Sequence, residues 1–203
     1  ALLHGADAST LTVNATTDDG SGTCTQTKCT LRDAILNAKF GDQISFSLPA
    51  NSTIALTNCT LSINNTIVIV GPGAGLLTIA RSSAAGTVDF RILDISSAGA
   101  SVDISGVTFA NGSDNTIDGG GAIDNVGSLT LTACTISGNK ASNSGAIANT
   151  GTLTINNSTL SGNSGFQVGA IYNTGSAGVL TITNSTVSGN TSDNDGSITN
   201  FNG

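Results

Sequence analysis

The chain has 203 residues, a formal net charge of −7 and only 9% charged residues, with no Met, Trp or Glu. Its six Lys and Arg are dispersed and offer no basic face for phosphates, which argues against nucleic-acid binding, and no apolar run approaches the roughly 18 residues of a membrane-spanning helix. All 13 acidic residues are Asp, a turn former, and with 26 Gly the composition points to an all-β chain rich in tight turns.

Segment 1–13 is a tail followed by a first strand. "ALLHGADA" carries the small-x-small form of a signal cleavage site at Ala6-Asp7-Ala8, and reads equally as an ordinary frayed terminus. Segment 14–46 is expected to form an N-terminal cap. Within it Cys24 and Cys29, close in sequence in a Gly/Thr-rich loop, are expected to form a disulfide, which implies an oxidising, extracellular setting. "CTLRDAILNAKFG" is the one helical passage, predicted over residues 30–39. Thr30 caps it, Asp33 is the capping-box partner, Leu31, Ala34, Ile35 and Ala38 form the apolar face, and Gly41 stops it.

Segment 47–126 reads as irregular coils and 127–203 as regular ones, all in a single domain. The regular part repeats one phrase: "LTLTACTISGN" from Leu129, "LTINNSTLSGN" from Leu153 and "LTITNSTVSGN" from Leu180, each followed by a polar loop and a Gly-Ala/Ser-Ile-x-Asn element. A degenerate copy runs from Val102 through Phe109 to Asn125. No 3.6-residue periodicity is present, and units of 24 and 27 residues are too short for a propeller blade. Three short strands per unit suit a right-handed, single-stranded parallel β-helix of about seven or eight coils, each strand pairing with its equivalent about 4.8 Å along the axis.

Each position of the phrase then becomes a ladder. Leu131, Ile155 and Ile182 stack inside, as do Ile136, Leu160 and Val187. Cys134 shares a small-residue ladder with Val107, Ser158 and Ser185. "IALTNCTLS" (residues 54–62) has the same spacing and puts Cys59 at that position, so both Cys59 and Cys134 are expected to be buried free thiols. Asn139, Asn163 and Asn190 form one expected corner ladder, and Asn149, Asn173 and Asn200 another, with side-chain amides bonding along the axis. The open end at "GSITNFNG" is expected either to continue in omitted chain or to be covered by a neighbouring molecule.

"CTLRDAILNAKFGDQISF" (Cys29 to Phe46) resembles the Cys-Ser-Leu-Arg-Glu-Ala-Ile motif that opens many secreted bacterial β-helix proteins, with Thr30 and Asp33 in place of its usual Ser and Glu. The segments Thr12 to Gly20 and Ile67 to Gly75 accompany it there, and the later coils look like the Gly-Gly-Ala-Ile repeats of polymorphic outer-membrane and adhesin-type proteins. This resemblance implies an exported or cell-surface β-helix and no particular reaction.

Candidate chemistry is sparse. From Asn125 to Ser192 the only charged residue is Lys140. The best acid/base cluster for a polysaccharide lyase or hydrolase is Arg81, Asp89, Arg91 and Asp94, with Asp103, Asp118 and Asp124 on adjacent coils; its bland counterpart is a set of solvated turn charges. His4 is the only histidine, so neither a Ser-His-Asp triad nor a multi-His zinc site is available. "GPGAG" (Gly71 to Gly75) lacks the helix a phosphate loop needs, and "TDDG" and "DNDG" lack a full Ca²⁺ ligand set. The Asn-x-Ser/Thr triplets follow from composition and matter only in a glycosylating host. Thr130, Thr154 and Thr181, beside Thr132, Asn156 and Thr183, form a flat outward array that would suit ice binding and equally an ordinary solvated strand face.

These readings converge on a non-catalytic extracellular structural protein, adhesin-like, needing no cofactor or metal and contacting cell-surface or glycan partners. It is expected to self-associate end to end into a fibre, with Ser9, Leu11 and Val13 of one copy meeting Ile198 and Phe201 of the next. The alternatives are a carbohydrate-active enzyme and an ice-binding solenoid.

Overall fold

A computed structural model describes residues 8–117 and 119–201. The chain winds into an all-β parallel solenoid of about six coils with one short helix. Face one is a seven-stranded sheet made of Thr10–Val13, Gln43–Phe46, Ile67–Val70, Ser101–Ser105, Ser128–Thr132, Thr152–Asn156 and Val179–Thr183. Face two runs from Ser52–Leu56 through Leu77–Arg81, Thr108–Ala110, Thr135–Ser137 and Thr159–Ser161 to Thr186–Ser188. Face three runs from Leu61–Ile63 through Leu93–Ile95, Ile123–Asn125, Ile147–Asn149 and Ile171–Asn173 to Ile198–Asn200.

Coils 3 to 6 add a short fourth face that the three-strand reading of the repeat omits: Ser113–Asp114, Lys140–Ala141, Ser164–Gly165 and Thr191–Ser192. The coil count is lower than length divided by repeat suggests. Residues 14–42 build the cap, and coil 2 spends extra residues on loops at 71–76 and 82–91.

The register follows the repeated phrase. Leu129, Leu153 and Leu180 pair in one inward ladder, Leu131, Ile155 and Ile182 in a second, and Ile136, Leu160 and Val187 in a third, extended by Phe109. Members in coils 3 to 5 are fully buried, while those of coil 6 are only partly buried. Alternation along each strand is what places these side chains inside and their Thr and Ser neighbours outside.

The corner between faces one and two bends through a left-handed residue in every regular coil: Gly106 (φ 64°), Ala133 (φ 52°), Asn157 (φ 50°) and Asn184 (φ 50°). Gly and Asn tolerate this region, whereas Ala brings its Cβ against the following carbonyl at about 1–2 kcal/mol. Ala133→Gly should therefore stabilise the chain. Glycine's greater freedom when unfolded reduces the gain to roughly 0.5–1 kcal/mol, readable as a higher urea midpoint at unchanged m-value.

At the N-terminal end the helix Leu31–Asn37 lies over the first coil, three residues shorter than predicted, because Thr30 is its cap and Ala38 already turns extended (φ −64°, ψ 133°). The Thr30 hydroxyl accepts from the Asp33 N–H (3.1 Å) and donates to the Asp33 carboxylate (2.8 Å), which also takes the Gly22 N–H (2.6 Å). Burial alone would raise the proton affinity of Asp33, but these hydrogen bonds, led by the one from Thr30, hold it below the usual carboxylate range. Cys24 and Cys29 are joined by a disulfide beside the helix.

Cys134 is a buried free thiol, its proton affinity raised by burial. Cys59 is free but exposed, contrary to the sequence expectation. The spacing of "IALTNCTLS" imitates the repeat one face out of phase. Ile54 lies on face two, paired with Ile79, so Cys59 falls at the corner between faces two and three instead of the one Cys134 occupies.

Candidate functional site

Three places gather side chains worth weighing: two corner ladders, a charged cluster at coils 2 and 3, and the strand edges at the two ends.

In the first ladder the Asn139 Nδ2 donates to Asn163 Oδ1 (2.9 Å) and the Asn163 Nδ2 to Asn190 Oδ1 (2.8 Å), while the same oxygens take the backbone N–H groups of Asn139 and Asn163. In the second, each Nδ2 donates to the next Oδ1 from Asn125 through Asn149 and Asn173 to Asn200, at 2.5–2.6 Å. Asn125 starts this ladder because coil 2 has Ile95 in register with it, and its Oδ1 is buried without a hydrogen-bond partner. A third ladder, not foreseen as hydrogen-bonded, runs from the Cys134 N–H to Ser158 Oγ (3.0 Å) and from the Ser158 N–H to Ser185 Oγ (3.1 Å). These amides and hydroxyls satisfy backbone groups that the bends free. They hold the coils in register and face inward.

The charged residues sort into two groups. Arg81 donates from Nε to the Asn111 carbonyl (3.1 Å) and stands 3.9 Å from Asp89, which accepts from Asn115 Nδ2 at 2.5 Å. Hydrogen bonds from Ser113 and Asn115, with Arg81 and Lys140 nearby, keep the Asp89 carboxyl below its ordinary range. Arg91 ion-pairs with Asp124 and lies 2.6 Å from the buried Asp114 carboxylate, and it also donates to the Thr116 hydroxyl (3.1 Å). Asp94 and Asp124 are register partners on adjacent strands of face three. Asp103 sits on face one, in register with Val68 and Thr130, and does not join them. Asp118, His4 and the Ala6-Asp7 part of the cleavage-like triplet lie outside the described residues.

Burial raises the proton affinities of both Asp94 and Asp124, against the pull of Arg91, and Asp94 adds repulsion at Asp124. A carboxyl raised above its unfolded value contributes stability that is present below that value and lost as pH rises through the folded one. Asp94→Asn removes this loss while Arg91 keeps Asp114 and Asp124. We expect a gain below about 1 kcal/mol at pH 7, since Asp94 remains partly solvated, and none near pH 3. Paired thermal melts at the two pH values measure it. Among the described residues no group of three or more His, Cys, Asp or Glu is arranged to hold a metal ion.

The residues expected to mediate self-association divide between the ends. Leu11 and Val13 lie in the strand that forms the N-terminal edge of face one, paired with Ile44 and Phe46 on one side only, and the Ser9 N–H bonds Asp42 (2.7 Å). A groove of about 470 Å³ runs along that strand, lined by Thr10, Leu11, Thr12 and the loop Cys24 to Gln26. Ile198 and Phe201 are at the other end but on face three, where Phe201 meets the Tyr172 ring at 6.4 Å. On face one the last strand is Val179–Thr183, so Leu180 and Ile182 are the edge residues the sequence reading overlooked. Their shared phrase, "TLTV" against "VLTIT", carried the signal.

Among the described residues no helix is long and apolar enough to cross a membrane. Comparison with protein-family models, with curated proteins and with solved structures found no match.

Proposed function

We propose that this chain is a non-catalytic extracellular structural solenoid of the adhesin-like kind, right-handed as connections between parallel strands overwhelmingly are, which associates end to end. The disulfide Cys24–Cys29 is consistent with an oxidising environment. The observation that carries the association is the match between the two outer strands of face one. Thr10–Val13 alternates inward Leu11 and Val13 with outward Thr10 and Thr12, as Val179–Thr183 alternates Leu180 and Ile182 with Thr181 and Thr183. Setting Leu11 beside Leu180 and Val13 beside Ile182 would extend the sheet by parallel strand addition.

Association is confined to that face. Around residues 57–60 the N-terminal rim is closed by the cap, where Asp18 accepts the Thr57 and Asn58 N–H groups (2.8 and 3.1 Å) and Arg32 donates to the Cys59 carbonyl (2.7 Å). The test is light scattering with negative-stain electron microscopy of the 203-residue chain. Filaments that vanish in Leu180→Asp, at unchanged circular dichroism, support the reading. A monomer at all accessible concentrations overturns it.

A further inference from the structure

Face four carries a groove unrelated to the strand edges. It is about 280 Å³ in volume and draws one residue or more from each of coils 3 to 6: Asn115, Lys140 and Ser142, Ser164 and Phe166, and Asp193. Its floor is the paired ladder Ser113–Lys140–Ser164–Thr191, so its backbone groups are committed to neighbouring coils and offer no edge for another strand.

Asn115 at one end is held by Asp89, to which its Nδ2 donates, but the other polar side chains over this floor are uncommitted. Among the described residues Lys140 forms no ion pair, and neither the Ser142 and Ser164 hydroxyls nor the Asp193 carboxylate has a hydrogen-bond partner. The serines of the inner ladders, by contrast, are bonded: Ser144 Oγ donates to the Ile147 and Ala170 carbonyls, and Ser158 Oγ to that of Asn156. Phe166 stands among these groups with 53% of its surface exposed, although its counterparts one coil either side are the small or polar Ser142 and Asp193. An apolar ring left half in water among small, polar and charged residues has no packing role there.

We propose that this groove binds a neutral saccharide chain lying along the solenoid axis. A pyranose presents a flat C–H face, which the Phe166 ring can cover, and a rim of hydroxyls that both donate and accept. Lys140 supplies donors, Asp193 an acceptor, and Ser142 and Ser164 both. One cation and one anion within the same groove favour an uncharged ligand, and a net charge of −7 disfavours a polyanion. A peptide fits less well, because there is neither an open backbone edge nor an enclosed apolar pocket for side chains. Successive coils, about 4.8 Å apart, set successive groups at a spacing close to that of the sugars in an extended β-linked chain.

Isothermal titration of the intact chain with cellohexaose, xylohexaose and N-acetylchitohexaose tests this. At least one is expected to bind saturably. Phe166→Ala should weaken that binding by about tenfold, the loss expected when one aromatic platform is removed, and Lys140→Ala by a smaller factor. Phe166 is half exposed, so the variant's melting curve should overlay the parent's. Thr154→Ala on face one should bind normally and serve as control. No binding by any of the three hexasaccharides overturns the proposal. So does binding that Phe166→Ala leaves unchanged, or saturable binding at these residues by an extended peptide alone. Because the groove lies away from the strand edges, Leu180→Asp should leave saccharide binding intact, which separates this proposal from end-to-end association.

Discussion

Arg32→Met is expected to destabilise the fold by about 3–5 kcal/mol, with the N-terminal cap released before the coils unwind. Arg32 sits one residue into the helix and reaches back to Asp18, with Nε at 2.8 Å and Nη2 at 3.1 Å from its two carboxylate oxygens. It also donates to the Cys59 and Thr60 carbonyls at the edge of coil 1 (2.7 and 3.2 Å). The Asp18 side chain is only 1% exposed, and its other contacts are the N–H groups of Thr57 and Asn58. Removing the guanidinium leaves a buried carboxylate without its counter-charge and two carbonyls without donors, which costs far more than the pair is worth in isolation. Methionine keeps most of the side-chain volume, so the loss reports charge and hydrogen bonding instead of a cavity. Asp18→Asn in the same chain should recover part of it, because an amide can stay buried uncharged. A double-mutant cycle by chemical denaturation gives the coupling, and a value near zero would remove Arg32 from this role.

The architecture was legible because a β-solenoid writes its geometry once per coil. Leu129, Leu153 and Leu180 recur at intervals near the repeat, and their inward stacking follows from strand alternation alone. The asparagine corners were legible for a similar reason. An amide can both donate and accept, so it can bond to its copy one coil on; the left-handed bends beside the first ladder fall on Gly138, Gly162 and Gly189, not on the asparagines themselves. What escaped was phase and side-chain reach. Cys59 obeys the spacing of the phrase, yet the irregular first coils start it on a different face, and spacing carries no information about where a coil begins. The fourth face is two residues per coil, too short for alternation to announce a strand.

The charged candidates show the same limit. Arg91, Asp94 and Asp124 do come together, with Asp114 added, because neighbouring coils place them in register or at adjoining corners. Asp103 differs from them only in the face it occupies, which composition cannot reveal. Lys140 was visible as the one charge between Asn125 and Ser192, but only the winding of the chain brings it to one groove with Phe166.

Gly145→Ala should be among the most damaging single changes in the regular coils, costing about 3 kcal/mol or more by forced separation of packed backbone. A Cβ at Gly145 would stand 2.2 Å from the Gly169 carbonyl oxygen and 2.6 Å from the Ser164 nitrogen, both in the next coil. Neither is the end of a flexible side chain, so relief requires moving one coil from another and breaking the ladders between them. Gly121 makes the same approach one coil earlier, with the Gly145 oxygen at 2.5 Å. Gly196 is the equivalent residue of coil 6, yet a Cβ there meets nothing within 4 Å. The expected result is a pair: Gly145→Ala collapses the melting transition, and Gly196→Ala leaves it in place. The second variant also reads the geometry of assembly. A partner that continued every face would set its own backbone against residue 196 and be repelled by the new methyl group. Association through face one alone would tolerate it, so the end-to-end association proposed above expects filaments that survive Gly196→Ala but not Leu180→Asp.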